Sequence, residues 1–253
     1  MLPRTPSYRL DGKRAVVIGG SRGIGLGCAV ALAEQGASVV IVARSKVQVF
    51  ETVNEMKSEG FSVSGAPMDV SIIDNVKNLM GEYSDIDILV NSAGIARHTP
   101  TVDTSELDFD DVMSVNVRSA YFLAQSAAKQ MISKGTGGSI IQISSQMAHV
   151  GGIDRAVYCG TKHAIEGINK SMAIEFGPYK IRVNSICPTF IRTPFTAPTF
   201  KDPEKFKWIE SKIKVGRVGE VEDIMGAVKF LASDVSAMVT GSSILIDGGW
   251  TAG

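Results

Sequence analysis

Hydrophobic positions along this chain fall into short runs separated by longer stretches at helical spacing. Residues 15–18 form the first run, apolar and rich in β-branched side chains, and read as a buried strand. Similar runs recur at residues 37–42, 61–67, 86–90, 139–143, 182–187 and 243–246. Helical patterns lie between them, at 24–35, 46–59, 72–82, 106–134, 156–176 and 221–231. Residues 189–215 break the alternation as a long insertion bearing prolines and phenylalanines, with a short helix near 203–211. Strands that alternate with helices predict an α/β fold: a doubly wound parallel sheet of about seven strands covered by helices on both faces. No linker, repeat or low-complexity tract divides residues 1–253, so one domain is expected.

The first strand runs into Gly19-Gly20-Ser21-Arg22-Gly23-Ile24-Gly25 and then a helix. Strand, glycine turn and helix make a phosphate cradle, because glycines admit an anion to the backbone and a helix N-terminus offers free N–H groups. The spacing is G-x-x-x-G-x-G, which differs from the G-x-G-x-x-G dinucleotide fingerprint. The same residues fit G-x-S-x-G, the nucleophile elbow of α/β-hydrolases. That chemistry needs a histidine after a late strand, and none of His98, His149 and His163 follows one.

Charge and cysteine content narrow the classes. Lys plus Arg and Asp plus Glu each total 26, so a basic footprint for nucleic acid is absent. Cys28, Cys159 and Cys187 lie far apart without a C-x-x-C pair, which suits a reducing cytosol and no disulfide framework. Residues 1–10 lack the apolar segment of a signal peptide, and no run reaches the roughly 18 apolar residues of a membrane span. A cytoplasmic protein without membrane or nucleic-acid partners is expected.

Polar groups gather at the strand ends: Gly19 to Arg22, Arg44, Asp69, Asn91 to Gly94, Ser144-Ser145 and Pro188 to Thr193. Ligands of open parallel sheets bind beyond the carboxyl ends of the strands, so these positions point to one crevice. Tyr158 and Lys162, four residues apart near a helix start, share a face, and an ammonium there would pull the phenol pKa towards neutrality. Ser145 ends a strand thirteen positions upstream of Tyr158, with Ser144 as the rival serine. Ser126-Ala-Ala-Lys129 matches the S-x-x-K of penicillin-binding enzymes but falls inside a helix, without a K-T-G partner. No histidine pair has metal-ligand spacing, and no metal is expected.

Gly19-x-x-x-Gly23-Ile24-Gly25, Asp69, Asn91-Ser92-Ala93-Gly94, Asn116, Ser145, Tyr158-Cys159-Gly160-Thr161-Lys162 and Pro188 occur in one order. Together the set resembles the classical short-chain dehydrogenase/reductases over nearly the whole chain. Three positions depart from the family pattern. Ile18 replaces a threonine, Ser92 the second asparagine of N-N-A-G, and Thr189 the glycine of P-G. The first two are expected to loosen hydrogen bonds around the glycine turn and the fourth strand.

The resemblance implies a single-domain Rossmann fold and an NAD(P)-dependent oxidoreductase that interconverts a ketone and a secondary alcohol. Tyr158 would protonate the carbonyl oxygen and Ser145 would hydrogen-bond it. Lys162 would hold the ribose and lower the tyrosine pKa, and Asn116 would hold a water that links Lys162 to solvent. The dinucleotide would lie along Gly19, Ser21, Arg22 and Ile24, then Arg44 and Ser45, then Asp69 and Val70. It would continue past Asn91, Ala93 and Gly94 to Tyr158 and Lys162, with Pro188, Ile191 and Thr193 closing over it.

NAD enzymes place an acid at the end of the second strand, where this chain has Ala43-Arg44-Ser45. Arg44 and Arg22 suit the 2′-phosphate of NADP instead. Gln146, Met147, His149 and Arg155, with Phe190, Arg192, Phe195 and Trp208 of the insertion, are the expected substrate walls. They suit a small polar ketone, sugar or polyol. A 3-oxoacyl carrier-protein reductase would need a basic patch, for which Arg97, Arg155 and Arg192 are candidates, and a non-catalytic NADP-binding regulator would not need Ser145, Tyr158 and Lys162. His98 and His163 are expected at the surface. Phe122, Leu123, Ile165, Ile168 and Met172, on the helices through which family members commonly form tetramers, suggest a homotetramer. The 189–215 insertion is expected to act as a lid.

Overall fold

In the computed structural model, which describes residues 2–253, every strand of the sheet pairs in parallel. The strands are β1 (Arg14–Ile18), β2 (Ser38–Ala43), β3 (Val63–Pro67), β4 (Ile88–Asn91), β5 (Gly138–Ile143), β6 (Ile181–Pro188) and β7 (Ser243–Ile246). Their order is β3-β2-β1-β4-β5-β6-β7. The chain leaves β1 towards β2 and β3, then returns to place β4 on the other side of β1. The β1–β4 junction is therefore the switch point, where a parallel sheet opens a crevice at its carboxyl edge.

Period-two alternation sends successive side chains of each strand into different cores. Ala15 and Val17 of β1, with Val39 and Ile41 of β2, pack on one face. That face is covered by α1 (Gly23–Glu34), α2 (Lys46–Ser58) and α9 (Glu222–Ala232). Val16, Ile18, Val40 and Val42 face the opposite core. Its helices are α3 (Ile73–Glu82), α5 (Ala120–Lys134) and α6 (Ala156–Phe176). Both faces are covered, which is why the strands read as continuous apolar runs. Each fully buried Leu or Ile contributes about 1.5–3 kcal/mol.

The helical stretch 106–134 is not one α-helix. α4 (Glu106–Met113) starts at Ser105, whose Oγ accepts from the Asp108 N–H at 3.1 Å. A π-helical turn, Ser114–Ser119, then carries Asn116 before α5 resumes. Gly135, at φ 73°, ends α5 in the left-handed conformation that L side chains avoid.

Leu123, Ile165 and Met172 do not supply surface for a partner: each is buried in this chain, and Phe122 and Ile168 are half-buried. The apolar side chains these elements leave exposed are Leu107 and Phe109 on α4, Tyr121 on α5 and Ile174 on α6. Periodicity identifies an apolar stripe but not which elements will cover it.

The insertion folds as α7 (Ala197–Phe200) and α8 (Pro203–Lys212) over a small core that it shares with Val218 and Trp250. Phe190, Ile209, Ile213 and Val218 are its buried centre, packed by Phe200, Phe206 and Trp250. No helix among the described residues is long and apolar enough to cross a membrane.

Candidate active site

The glycine turn at the end of β1 is held mainly by backbone, with one side chain added: Thr52 Oγ1 donates to the Ser21 carbonyl at 3.1 Å. Gly19 N–H donates to the Val42 carbonyl at 2.7 Å, and Ser92 N–H donates to the Ile18 carbonyl at 2.9 Å. Main-chain bonds therefore join the turn to both neighbouring strands across Ile18 and Ser92. Gly19 has φ 74°, and a Cβ there would stand 3.0 Å from the Ser92 carbonyl carbon. A Cβ on Gly25 would collide with the Gly19 carbonyl. Both positions require glycine. α1 begins at Gly23 without a side-chain cap, so its first N–H groups remain available to an anion.

From this turn a cleft of about 1210 Å³ runs along the carboxyl edge of the sheet. One arm is walled by Ser21, Arg22, Ile24, Arg44, Ser45, Asp69 and Val70. Arg22 and Arg44 are exposed on this wall, and neither is in an ion pair among the described residues. Two unpaired guanidinium groups, Arg22 at the start of α1 and Arg44 after β2, fit a phosphate, which Arg binds bidentately. Asp69 accepts from Ser71 N–H at 2.9 Å and from Ser71 Oγ at 2.7 Å. Burial opposes its ionisation, but these bonds and the nearby Arg44 hold the carboxyl below its ordinary range.

The other arm leads to Ser145, Tyr158 and Lys162, all on the wall. Ser145 follows β5, and its Oγ accepts from Met147 N–H at 3.1 Å, leaving its own proton free to donate. Tyr158 and Lys162 stand one turn apart on α6. Burial pushes the Tyr158 phenol up from its ordinary value, while the Ser145 hydroxyl, within hydrogen-bond reach, and Arg155 pull it down. The Lys162 ammonium, buried at 6% exposure, donates to the Ile143 carbonyl at 2.9 Å. Desolvation lowers its pKa to about 8. The sequence pattern implied that Lys162 acidifies the phenol. In the structure desolvation dominates both groups, and Ser145 and Arg155 favour the phenolate.

Asn116 and Asn91 do not line the cleft. Asn116 Oδ1 accepts from Ile95 N–H at 2.9 Å, and its Nδ2 donates to Ile95 O and Thr161 Oγ1. It lies behind Gly94, close to Lys162, and ties the loop after β4 to α6. Asn91 donates to Gln142 Oε1 at 2.8 Å and accepts from Ala93 N–H, which orients Ala93 and Gly94 on the wall. Pro188, Ile191 and Thr193 line the cleft.

Among the substrate candidates, Gln146, Phe190 and Phe195 line the cleft and His149 does not. His149 is exposed, and its ring lies within 4.8 Å of Glu166 and Cys187 ligand atoms. Glu166 there accepts from Ser185 Oγ, Ser243 Oγ and Cys187 Sγ, so protein donors satisfy this buried carboxylate. Burial pushes the Cys187 thiol up to about 12, away from a metal-ligating thiolate. Trp208 stacks edge-on against Trp250 at 5.5 Å, outside the cleft. Arg192 also lies off the wall, paired with Glu220 at 3.1 Å. His98, expected only at the surface, is exposed yet lines the cleft mouth. His163 is exposed on α6. Two contacts had no sequence signal: the Ile143 carbonyl under Lys162 and the Thr161 hydroxyl on Asn116.

A family model described as enoyl-(acyl carrier protein) reductase matches residues 18–251. The 2-dehydro-3-deoxy-D-gluconate 5-dehydrogenase of Escherichia coli (strain K12) is 37% identical over 250 residues, covering 97% of this chain and 98% of the relative. The chain belongs to the classical short-chain dehydrogenase/reductase family. Another family relative, L-xylulose reductase from Bos taurus, is 36% identical over 244 residues, 96% of this chain and 98% of its own. A solved short-chain dehydrogenase/reductase, gluconate 5-dehydrogenase from Burkholderia cenocepacia J2315 in complex with NADP and tartrate, superposes with a TM-score of 0.94. It is 34% identical and covers 97% of this chain and 98% of its own.

Proposed function

We propose that this protein is an NADP-dependent oxidoreductase that interconverts a ketone and a secondary alcohol on a small sugar or polyol. The observation that carries the reading is one continuous cleft with two unpaired arginines at one end and Ser145, Tyr158 and Lys162 at the other. Relatives named for 2-dehydro-3-deoxy-D-gluconate and for L-xylulose support a sugar substrate, and NADP in the Burkholderia structure supports the cofactor.

In reduction, the bound nicotinamide supplies the hydride. Tyr158 gives its proton to the carbonyl oxygen, a role suited to a phenol that burial keeps protonated at neutral pH. Ser145 donates its free O–H to the same oxygen as charge develops there. Lys162 places a positive charge beside the phenol and offers N–H donors to the ribose. Asn116 and Asn91 brace the loop after β4 with their side chains, and Asn116, beside Lys162 behind Gly94, would hold the water that links Lys162 to solvent. The Gly19 turn and the α1 N-terminus receive the pyrophosphate, and Arg22 and Arg44 grip the 2′-phosphate. The single domain spans the whole chain, and residues 189–215 form its lid.

Two of the three arginines named for a carrier-protein patch are paired. Arg97 is paired with Asp108 and Asp111, and Arg192 with Glu220, which leaves Arg155 alone. A non-catalytic regulator would not need the serine, tyrosine and lysine gathered at one end of the cleft. The homotetramer is part of the same proposal, built on the exposed apolar face of α4 and α6. Three free, buried cysteines accord with the cytoplasm. A panel of ketoses, keto acids, simple ketones and a 3-oxoacyl thioester, followed by NADPH absorbance, tests the reading. Oxidation of NADPH by ketoses or keto acids supports it, and turnover of the thioester alone would overturn it.

A further inference from the structure

Beyond Tyr158 the cleft opens onto a basic corner assembled from three elements. Arg155 stands at the start of α6, His98 in the loop after β4, and Lys205 on α8, near enough to His98 to act on its charge. Asp154 is the one carboxylate that acts on this corner. Arg97, on the same wall, is already neutralised by Asp108 and Asp111. Arg155 is in no ion pair among the described residues, and its guanidinium lies 5.1 Å from the centre of the Phe190 ring. Stacking on a buried aromatic holds the group in one place without using its in-plane donors. Beside it Gln146, only 1% exposed, has neither its amide nitrogen nor its oxygen hydrogen-bonded within the protein. A buried amide with both ends free, on the wall of a cleft, is completed by a polar ligand.

We propose that Arg155 binds the carboxylate of a keto-aldonate substrate, with Gln146 on a neighbouring hydroxyl and the ketone against Ser145 and Tyr158. This rests on the oxidoreductase reading above and narrows its substrate from sugars in general to sugar acids. One stacked, unpaired guanidinium matches one carboxylate in a bidentate pair. A neutral ketose leaves that charge uncompensated at the cleft wall. The carboxylate takes no part in the chemistry: the hydride goes to the ketone carbon and the Tyr158 proton to its oxygen.

A matched pair of substrates tests this. 5-Keto-D-gluconate and L-sorbose share the same carbon chain and the same ketone, and differ in a carboxylate against a hydroxymethyl group. With NADPH, the wild-type protein should show a higher kcat/KM for the acid. Arg155→Met should lower kcat/KM for the acid by roughly tenfold to a hundredfold, the range for losing a hydrogen bond to a charged group. The neutral ketose should fall only severalfold, through the lost support of the Tyr158 phenolate, and Arg155→Lys should restore part of the preference. In the dead-end complex with NADPH and D-gluconate, an anion at this corner should raise the His98 pKa, which partial burial at the cleft mouth and the Arg155 and Lys205 charges hold below the ordinary histidine value. NMR titration of the His98 ring reads that shift, and Arg155→Met should remove it. Equal losses for acid and ketose in Arg155→Met, or a wild-type preference for L-sorbose, would overturn the carboxylate anchor and leave the oxidoreductase reading standing. No NADPH oxidation with either compound or with any ketone would overturn both.

Discussion

The Lys162 ammonium is bonded to the carbonyl oxygen of Ile143 at 2.9 Å, while it stands 5.6 Å from the centre of the Tyr158 ring. A main-chain carbonyl thus holds the charge at the cleft floor, where desolvation lowers its pKa from 10.5 to about 8. A base with a depressed folded-state pKa costs stability at neutral pH, because the unfolded chain holds the proton more tightly. The cost is fully present below pH 8 and fades as pH rises towards 10.5, where the lysine is neutral in both states. Lys162→Met should therefore be more stable than the wild type at pH 7, by up to about 3 kcal/mol. That advantage should shrink as pH rises above 8, and turnover should be lost throughout. Urea unfolding at several pH values checks the sign.

Tyr158→Phe should nearly abolish turnover with NADPH binding close to normal, since the ring still packs and only the proton-bearing oxygen is gone. Ser145→Ala should reduce turnover by about 10²–10³, as for loss of one donor to a developing oxyanion. Alcohol oxidation needs the phenolate and reduction the phenol. With Tyr158 held above its ordinary pKa, the oxidation rate should climb into alkaline pH while reduction is sustained through neutrality. A deuterated alcohol, run alongside, confirms that chemistry limits the rate.

Arg44→Asp removes one of the two unpaired guanidinium groups on the dinucleotide arm of the cleft and places a carboxylate where a 2′-phosphate would sit. NADPH binding should weaken by about 2–4 kcal/mol, and preference should move towards NADH, whose 2′-hydroxyl the carboxylate can accept from. Fluorescence titration with both cofactors measures it; an unchanged ratio would place Arg44 away from the phosphate.

The insertion packs on a small core that it shares with Val218 and Trp250, and it lines the cleft through Phe190, Ile191 and Phe195. Amide exchange in residues 189–215 should slow when NADP and a substrate or inhibitor bind together. Equal exchange in the free and ternary states would argue against a lid.

Phe109, 47% exposed, borders a shallow groove between α4 and α6 that also holds Met113 and Val157. In a tetramer this face is covered by another copy. Light scattering should give the mass of four chains, and Phe109→Asp should lower it.

Most of the architecture is written locally. The apolar runs of β1 and β2, the glycine turn and the helix stripes each depend on neighbours close in sequence, so the chain alone determined seven strands and their alternating helices. The family motif likewise located Ser145, Tyr158 and Lys162, because a reacting group must occur at a defined place on a defined element. Tertiary structure decided what depends on residues far apart meeting. It turned Leu123 and Met172 inwards, because α5 packs on α3, β4 and β5, and α6 packs on β6. It placed Asn116 on a π-turn behind Gly94, where Ile95 and Thr161 occupy its side chain. It kept His149 out of the cleft and brought His98 to its mouth. It also neutralised Arg97 and Arg192 with acids from other segments and left Arg155 unpaired. Periodicity reports which face is apolar, and spacing reports which groups share a turn. Which charges find partners and which groups lose their water depends on the packing of distant segments.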